Sequence, residues 1–158
     1  MEIVKIPRMK KQEYDRVIKE NHVCRIAFHG SEYPYIAPFM YVFDGRYINF
    51  LSTKYGKKIG LFKSEPSVAV EIERYAPDLS AYTFVTLQGR LEEVADQKTK
   101  RTIKESFATM IKERALSANI MAALGHDPKD PPDALVREDR TMVWRLTNVR
   151  EIVALKNP

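Results

Sequence analysis

One cysteine and one tryptophan occur in 158 residues, with only six glycines and three histidines. The lone Cys24 cannot close an internal disulfide, and a reducing cytoplasm is the expected setting. No apolar run approaches the ~18 residues of a membrane span. The opening residues, "MEIVKIPRMKKQEY", scatter charge where a secretion signal needs an apolar block, which argues against export. His22, His29 and His126 stand in unrelated contexts, with no HxxxH and no CxxC, so a protein-built zinc site is not expected. The GxSxG elbow and the GxxxxGK phosphate loop are both missing, which removes the usual hydrolase and nucleotide-hydrolase signatures. Glu92 and Glu93 are neighbours on one strand and point to opposite faces, a solvated edge rather than an acid–base pair. Self-sufficient catalytic side chains are lacking. Redox chemistry would need a borrowed cofactor.

What is present is an ordinary globular composition. Hydrophobic residues make up 44% and charged residues 30%, enough for a real core and too apolar for disorder. The length favours one domain spanning residues 1–158. Lys and Arg number 26 against 21 Asp and Glu, giving +5, a sign that favours anionic partners. The lysines are spread along the chain, and acids alternate with them in "RTIKESFATMIKER". No basic block of nucleic-acid type occurs, so neither nucleic acid nor membrane is an expected partner.

Periodicity divides the chain into short elements. Tyr14, Val17 and Ile18 are at helical spacing, predicting an amphipathic helix over 9–21. Strands follow at 22–28, at 35–43 with Pro38 interrupting, and at 46–52 after an Asp44-Gly45 hairpin. Residues 56–63 predict about two helical turns, and Pro66 precedes the strand "SVAVEIERY". In "AYTFVTLQGRLEEVA", Val85, Leu87 and Leu91 share one face, and Gly89 marks a bend or bulge. Beyond residue 97, Ile103, Phe107, Met110 and Ile111 recur at helical spacing, and "SANIMAALG" adds a short helix closed by Gly125. The proline-rich loop "HDPKDPPD" leads to a last strand, "RTMVWRLTNVREIVAL". Five hairpin-linked strands, a helical excursion and a sixth strand predict a mainly β protein, a small antiparallel barrel or sandwich.

One stretch carries more than fold. In "STKYGKKIG" (52–60) a strand ends in two hydroxyls, turns at a glycine, and opens a helix with two lysines. Two cations in the first turn of a helix oppose its macrodipole unless an anion offsets them. Ser52, Thr53, the amides around Gly56, and Lys57 and Lys58 are together the donor set of a phosphate monoester site. A solvated helix start is the alternative, and local sequence leaves both open.

The surrounding block, "RIAFHGSEYPYIAPFMYVFDGRYINFLSTKYGKKIGLFKSEPSVAVEIE", resembles the pyridoxamine 5'-phosphate oxidase-like, FMN-binding split-barrel superfamily, closest to its nitroimidazole-resistance-type branch. The matching features, in order, run from Pro34 to Pro38, through Phe43-Asp44-Gly45 and the 52–58 loop, to Glu65-Pro66-Ser67-Val68 and Tyr82 to Gly89. They cover about half of the chain. The resemblance implies a six-stranded split barrel that forms a homodimer, with FMN in clefts between the subunits. Ser52, Thr53, Gly56, Lys57 and Lys58 would then hold the FMN phosphate. Backbone groups of Pro38, Phe39, Met40 and Tyr41 would border the isoalloxazine edge, and Tyr82, Phe84 and Val85 would approach from the second subunit. Phe39, Tyr41 and Phe50 also read as ordinary barrel core, and Trp144-Arg145 as a core tryptophan beside a solvated arginine.

Leu51 stands where the nitroimidazole-type branch often has a histidine, and Phe84 where a polar FMN contact is common. The second strand, "IAPFMYV", lacks the arginine and lysine of the oxidases that make pyridoxal phosphate, and their C-terminal arginine motif is also absent. The resemblance therefore implies an FMN-dependent oxidoreductase of unidentified substrate rather than that oxidase. Deazaflavin F420 or haem in place of FMN, and a non-catalytic flavin-storage module, are the alternatives.

Overall fold

The computed structural model describes residues 1–158 and holds six strands and five helices. Helix α1 (Lys11–Glu20) precedes strands β1 (Val23–Phe28), β2 (Tyr35–Phe43) and β3 (Ile48–Thr53). Helix α2 (Lys57–Ser64) leads to β4 (Ser67–Tyr75) and β5 (Tyr82–Glu93). Helices α3 (Gln97–Glu113), α4 (Asn119–Ala123) and α5 (Ala134–Arg137) then precede β6 (Thr141–Lys156). All strand pairs are antiparallel, and the order β1-β2-β3-β6-β5-β4 closes a barrel. No helix is long and apolar enough to cross a membrane.

The expectation of five hairpin-linked strands needs correction. β3 and β4 are not neighbours: β3 pairs with β2 and β6, whereas β4 pairs with β1 and β5. Helix α2 carries the chain from one side of the barrel to the other. None of its residues is fully buried, yet Ile59, Leu61 and Phe62 pack against the barrel interior. The short helix α5 lies just after the residues read as a proline-rich loop and was not foreseen. Four residues at the edge of a Pro-Pro pair offer too short a window for periodicity.

The barrel is pinched open on one side. β2 pairs with β1 from Tyr35 to Met40, but with β3 only over Tyr41–Phe43. Beyond Phe50, β3 leaves β2 and pairs with β6 alone. The edge of β2 over 35–40 is thus free of ladder partners on its β3 side, and Pro38, which has no N–H, sits within it.

Alternation along the strands sorts side chains into two cores. Ile26, Phe28, Phe39, Tyr41, Phe50, Val70, Ile72, Val85, Leu87 and Trp144 fill the barrel. Met40, Leu51 and Val143 point outward and are covered by Ile103, Phe107 and Ile111 of α3, with Met121, Leu124 and Leu135. The helical excursion therefore lays its apolar stripe on its own barrel. Asp96 starts α3 by accepting from the Thr99 amide at 2.8 Å, satisfying one of its free N–H groups. Arg114, just after α3, donates to Glu20 O at 2.8 Å and Lys19 O at 3.2 Å, capping the carbonyl end of α1 with a cation.

The irregularity expected at Gly89 is present, but the extra residues belong to the partner strand. Gln88 pairs with Glu151 and Arg90 with Thr147, so β6 bulges at 148–150, with Asn148 at φ 49°. Gly89 stays in register with Val68. A Cβ at Gly89 would lie 2.7 Å from Thr147 O, so this glycine is where the bulging backbone comes closest.

Candidate functional site

The 52–58 loop leaves the end of β3, and the two hydroxyls diverge as strand neighbours must. Ser52 is buried and its Oγ donates to Thr53 O at 2.8 Å. Thr53 is also buried, and its Oγ1 accepts from Lys58 Nζ at 2.8 Å. Lys58 Nζ donates again to Tyr55 O at 2.9 Å, so Lys58 folds back over the loop it follows. Gly56 makes the turn with φ +101°, a region other residues rarely adopt, and Ile59 N closes the first helical turn onto Gly56 O at 3.2 Å. The loop brings Thr53, Gly56 and Lys58 together, while the hydroxyl of Ser52 serves its own backbone.

Neither Lys57 nor Lys58 forms an ion pair. Lys57 Nζ lies 5.3 Å from the centre of the Tyr35 ring, and Lys58 Nζ 5.5 Å from that of Tyr55. Partial burial without an acidic partner lowers the Lys58 pKa below the usual lysine value. The Lys58 ammonium, the Thr53 hydroxyl and the start of α2 therefore converge with no carboxylate paired to either lysine, and Lys57 reaches toward Tyr35 of β2. Such a set fits a phosphate.

Lys54, which the sequence reading passed over, is bound elsewhere. Its Nζ reaches Asp139 Oδ2 at 3.0 Å, and Lys104 and Lys100 lie 3.5 Å and 3.8 Å from Oδ1 of the same residue. Only folding brings these four together, so no sequence spacing could have announced them.

The side chains of the second strand are mostly structural. Phe39 is buried in the barrel, edge-on to Phe50 at 6.2 Å and tilted against Trp144 at 5.8 Å. Met40 lies under α3, and the Tyr41 hydroxyl donates to Ile18 O at 2.6 Å. Burial raises the Tyr41 pKa far above the ordinary phenol value. Pro38 is exposed. What Pro38, Phe39 and Met40 offer a ligand is main chain along the free edge of β2; Tyr41, expected beside them, is instead paired with Phe50 of β3. Trp144 is wholly buried and stacks on Phe62, while Arg145 donates to Asn49 Oδ1 at 2.9 Å and covers the Tyr47 ring.

Tyr82 and Phe84 stack on each other at 5.4 Å on the outside of β5, whereas Val85 faces the barrel core. Phe84 pairs with Leu155 and Thr53 with Thr141, so the two groups lie at opposite ends of β6, a strand path of roughly 45 Å. Within one chain Tyr82 and Phe84 do not meet the 52–58 loop. A surface cavity of about 620 Å³ shares no residue with the predicted site. It lies beside β1, β4 and β5, lined among others by His29, Tyr33, Gly89, Arg90 and Arg150.

Comparison with known proteins agrees with this architecture. A protein from Mesorhizobium loti described as FAD-binding superposes with a TM-score of 0.72 at 17% identity, covering 98% of this chain and 100% of its own. The haem storage protein HutZ of Vibrio cholerae gives 0.67 at 14% identity, with coverage of 92% and 94%. A candidate 5-nitroimidazole antibiotic resistance protein from Bacteroides thetaiotaomicron gives 0.64 at 18% identity, with coverage of 98% and 91%. At these identities the likeness concerns the fold. No curated protein matches the chain. The sequence profile described as pyridoxamine 5'-phosphate oxidase matches residues 10–136, which takes in the barrel through β5, the 52–58 loop and the helical excursion. With that match spanning most of its length, the chain belongs to the pyridoxamine 5'-phosphate oxidase family.

Proposed function

We propose that this protein binds FMN as a homodimer and serves as a flavin-dependent oxidoreductase acting on a small molecule. The observation that carries the reading is the donor cluster of Thr53, Gly56 and Lys58, free of ion-paired acids, with Lys57 reaching over Tyr35 on the free edge of β2. Family membership and the flavin named for the Mesorhizobium loti protein support the same cofactor class.

Each residue has a specific task under this reading. Lys58 and Lys57 hold the phosphate dianion by charge, and the α2 amides add donors at the positive end of the helix. Main-chain groups of residues 36–40 border the polar edge of the ring system. The buried Phe39, Phe50 and Trp144 make the strand beneath that edge rigid. Bound FMN supplies electron and hydride transfer, which no side chain of this protein can.

Two features support the dimer in this reading. Ile36, Val23 and Pro38 are exposed on the outer face of β1 and β2, with Ile36 62% accessible. Tyr82 and Phe84 lie too far along the barrel to share a site with the 52–58 loop of their own chain.

The test is the visible spectrum of the protein as purified, with the cofactor released by heat and weighed. Two flavin bands and released FMN are the expected result. Replacing both Lys57 and Lys58 with alanine should weaken FMN binding at least tenfold, since each charge-assisted bond contributes roughly 1.5–3 kcal/mol. A colourless protein that also fails to bind added FMN would overturn the reading.

A further inference from the structure

His126 is a buried polar group that the barrel and the flavin reading leave unexplained. Its side chain is fully inaccessible, and neither Nδ1 nor Nε2 has a hydrogen-bond partner. Buried polar side chains are nearly always paired, so an imidazole with two idle nitrogens calls for a specific occupant. Nδ1 lies near two carboxylates, 3.7 Å from Asp130 Oδ2 and 3.8 Å from Glu138 Oε2. Both distances are too long for hydrogen bonds.

They are the right size for something else. One ligand atom from each of the three residues lies within 4.8 Å of the other two. A cation in the plane of three atoms so spaced would lie about 2.2–2.4 Å from each, the shortest equal distance this spacing allows, against ~2.0–2.2 Å for zinc bonds to nitrogen and oxygen. A contraction of a few tenths of an ångström closes the shell. Imidazole with two carboxylates is a borderline donor set of the kind first-row dications take, with a remaining position for water.

We propose that His126, Asp130 and Glu138 form a binding site for a divalent first-row cation of the zinc class. Arg140 Nε lies 2.6 Å from Glu138 Oε2 and holds that carboxylate in place. A carboxylate oxygen has two lone pairs, so Oε2 can keep Arg140 and still face a metal. Orienting contacts of this kind are regular companions of metal ligands. Against one arginine, the two carboxylates leave the cluster one charge negative, with Lys104 the other cation nearby.

The site's place in the fold gives it a role. It ties the turn after α4 to the residues just before β6, across the proline-rich loop and α5. Gly125 comes so close to β3 that a Cβ there would be 3.7 Å from Thr53 Cγ2. A cation at His126 thus braces the strand end from which the 52–58 loop departs, whatever that loop binds.

The experiment uses the full-length protein after dialysis against a chelator. Zn²⁺ is titrated by calorimetry, and Co²⁺ by absorption to the red of any flavin band. One equivalent should bind with micromolar or tighter affinity, cobalt should develop ligand-field bands, and the unfolding temperature should rise. Asp130→Asn and Glu138→Gln should each weaken binding about tenfold or more. Both residues are partly exposed, so these isosteric variants should fold, which a cooperative melt at the wild-type temperature of the metal-free protein checks. Absence of stoichiometric binding overturns the proposal and leaves a trapped water as the occupant. Wild-type affinity in either variant overturns it as well.

Discussion

The Trp144 indole stacks on the Phe62 ring with centroids 4.6 Å apart and planes at 29°, joining α2 to the last strand. With Ile59 and Leu61, Phe62 anchors a helix that buries none of its residues completely. Phe62→Ala should therefore cost about 2–3 kcal/mol, less than a fully enclosed phenylalanine because the site is half-open. If the 52–58 loop holds FMN as proposed, the same variant should also loosen FMN retention, since α2 begins at that loop. Chemical denaturation alongside flavin titration would show both losses; an unchanged denaturation midpoint would mean that α2 is held by something else.

Arg25 lies between two acids, 2.7 Å from Glu73 and 3.5 Å from Glu71. Burial, and then the neighbouring Glu73, push Glu71 up from the ordinary glutamate range to about 6. The folded protein thus holds a proton that the unfolded chain has released, and stability falls as pH rises from about 4.5 to about 6. Glu71→Gln should remove that slope and stabilise the protein at neutral pH. The gain should be about 0.5–1 kcal/mol, because solvent screens a partly exposed pair. Melting temperatures of both proteins across pH 4 to 8 check the sign: a variant that keeps the wild-type slope would assign it to another group.

Gly89 faces Thr147 O at a distance no Cβ tolerates, with Leu146 Cδ1 a further 3.0 Å contact. Gly89→Ala should destabilise by about 1–3 kcal/mol through displacement of the bulge at 148–150. Thermal melts measure it. A neutral result would show that β6 shifts freely there.

Ile36 on the outer face of β2 tests the dimer. Ile36→Arg should leave a folded monomer with weakened flavin binding, seen by light scattering and by titration. A wild-type protein that is already monomeric at micromolar concentration would remove the composite site.

The sequence by itself determined the strands, because alternation at period two in "VCRIAF", "SVAVEIE" and "TFVTLQ" admits one buried face. It also determined the long helix, through Ile103, Phe107 and Ile111, and the residue types of the 52–58 loop, where two hydroxyls, a glycine and the Lys57-Lys58 pair fall within seven residues. Only the tertiary structure decided which neighbours those strands take. Period two says which face is buried and nothing about which edge pairs with which, so the crossing of α2 from β3 to β4 was invisible locally. The sorting of Thr53 from Ser52 needed the pairing partners of β3. The meeting of His126 and Asp130 with Glu138, and of Lys54 with Asp139, needed the helical excursion folded onto the barrel. Contacts between residues distant in sequence depend on chain path, and chain path is a property of the packed whole.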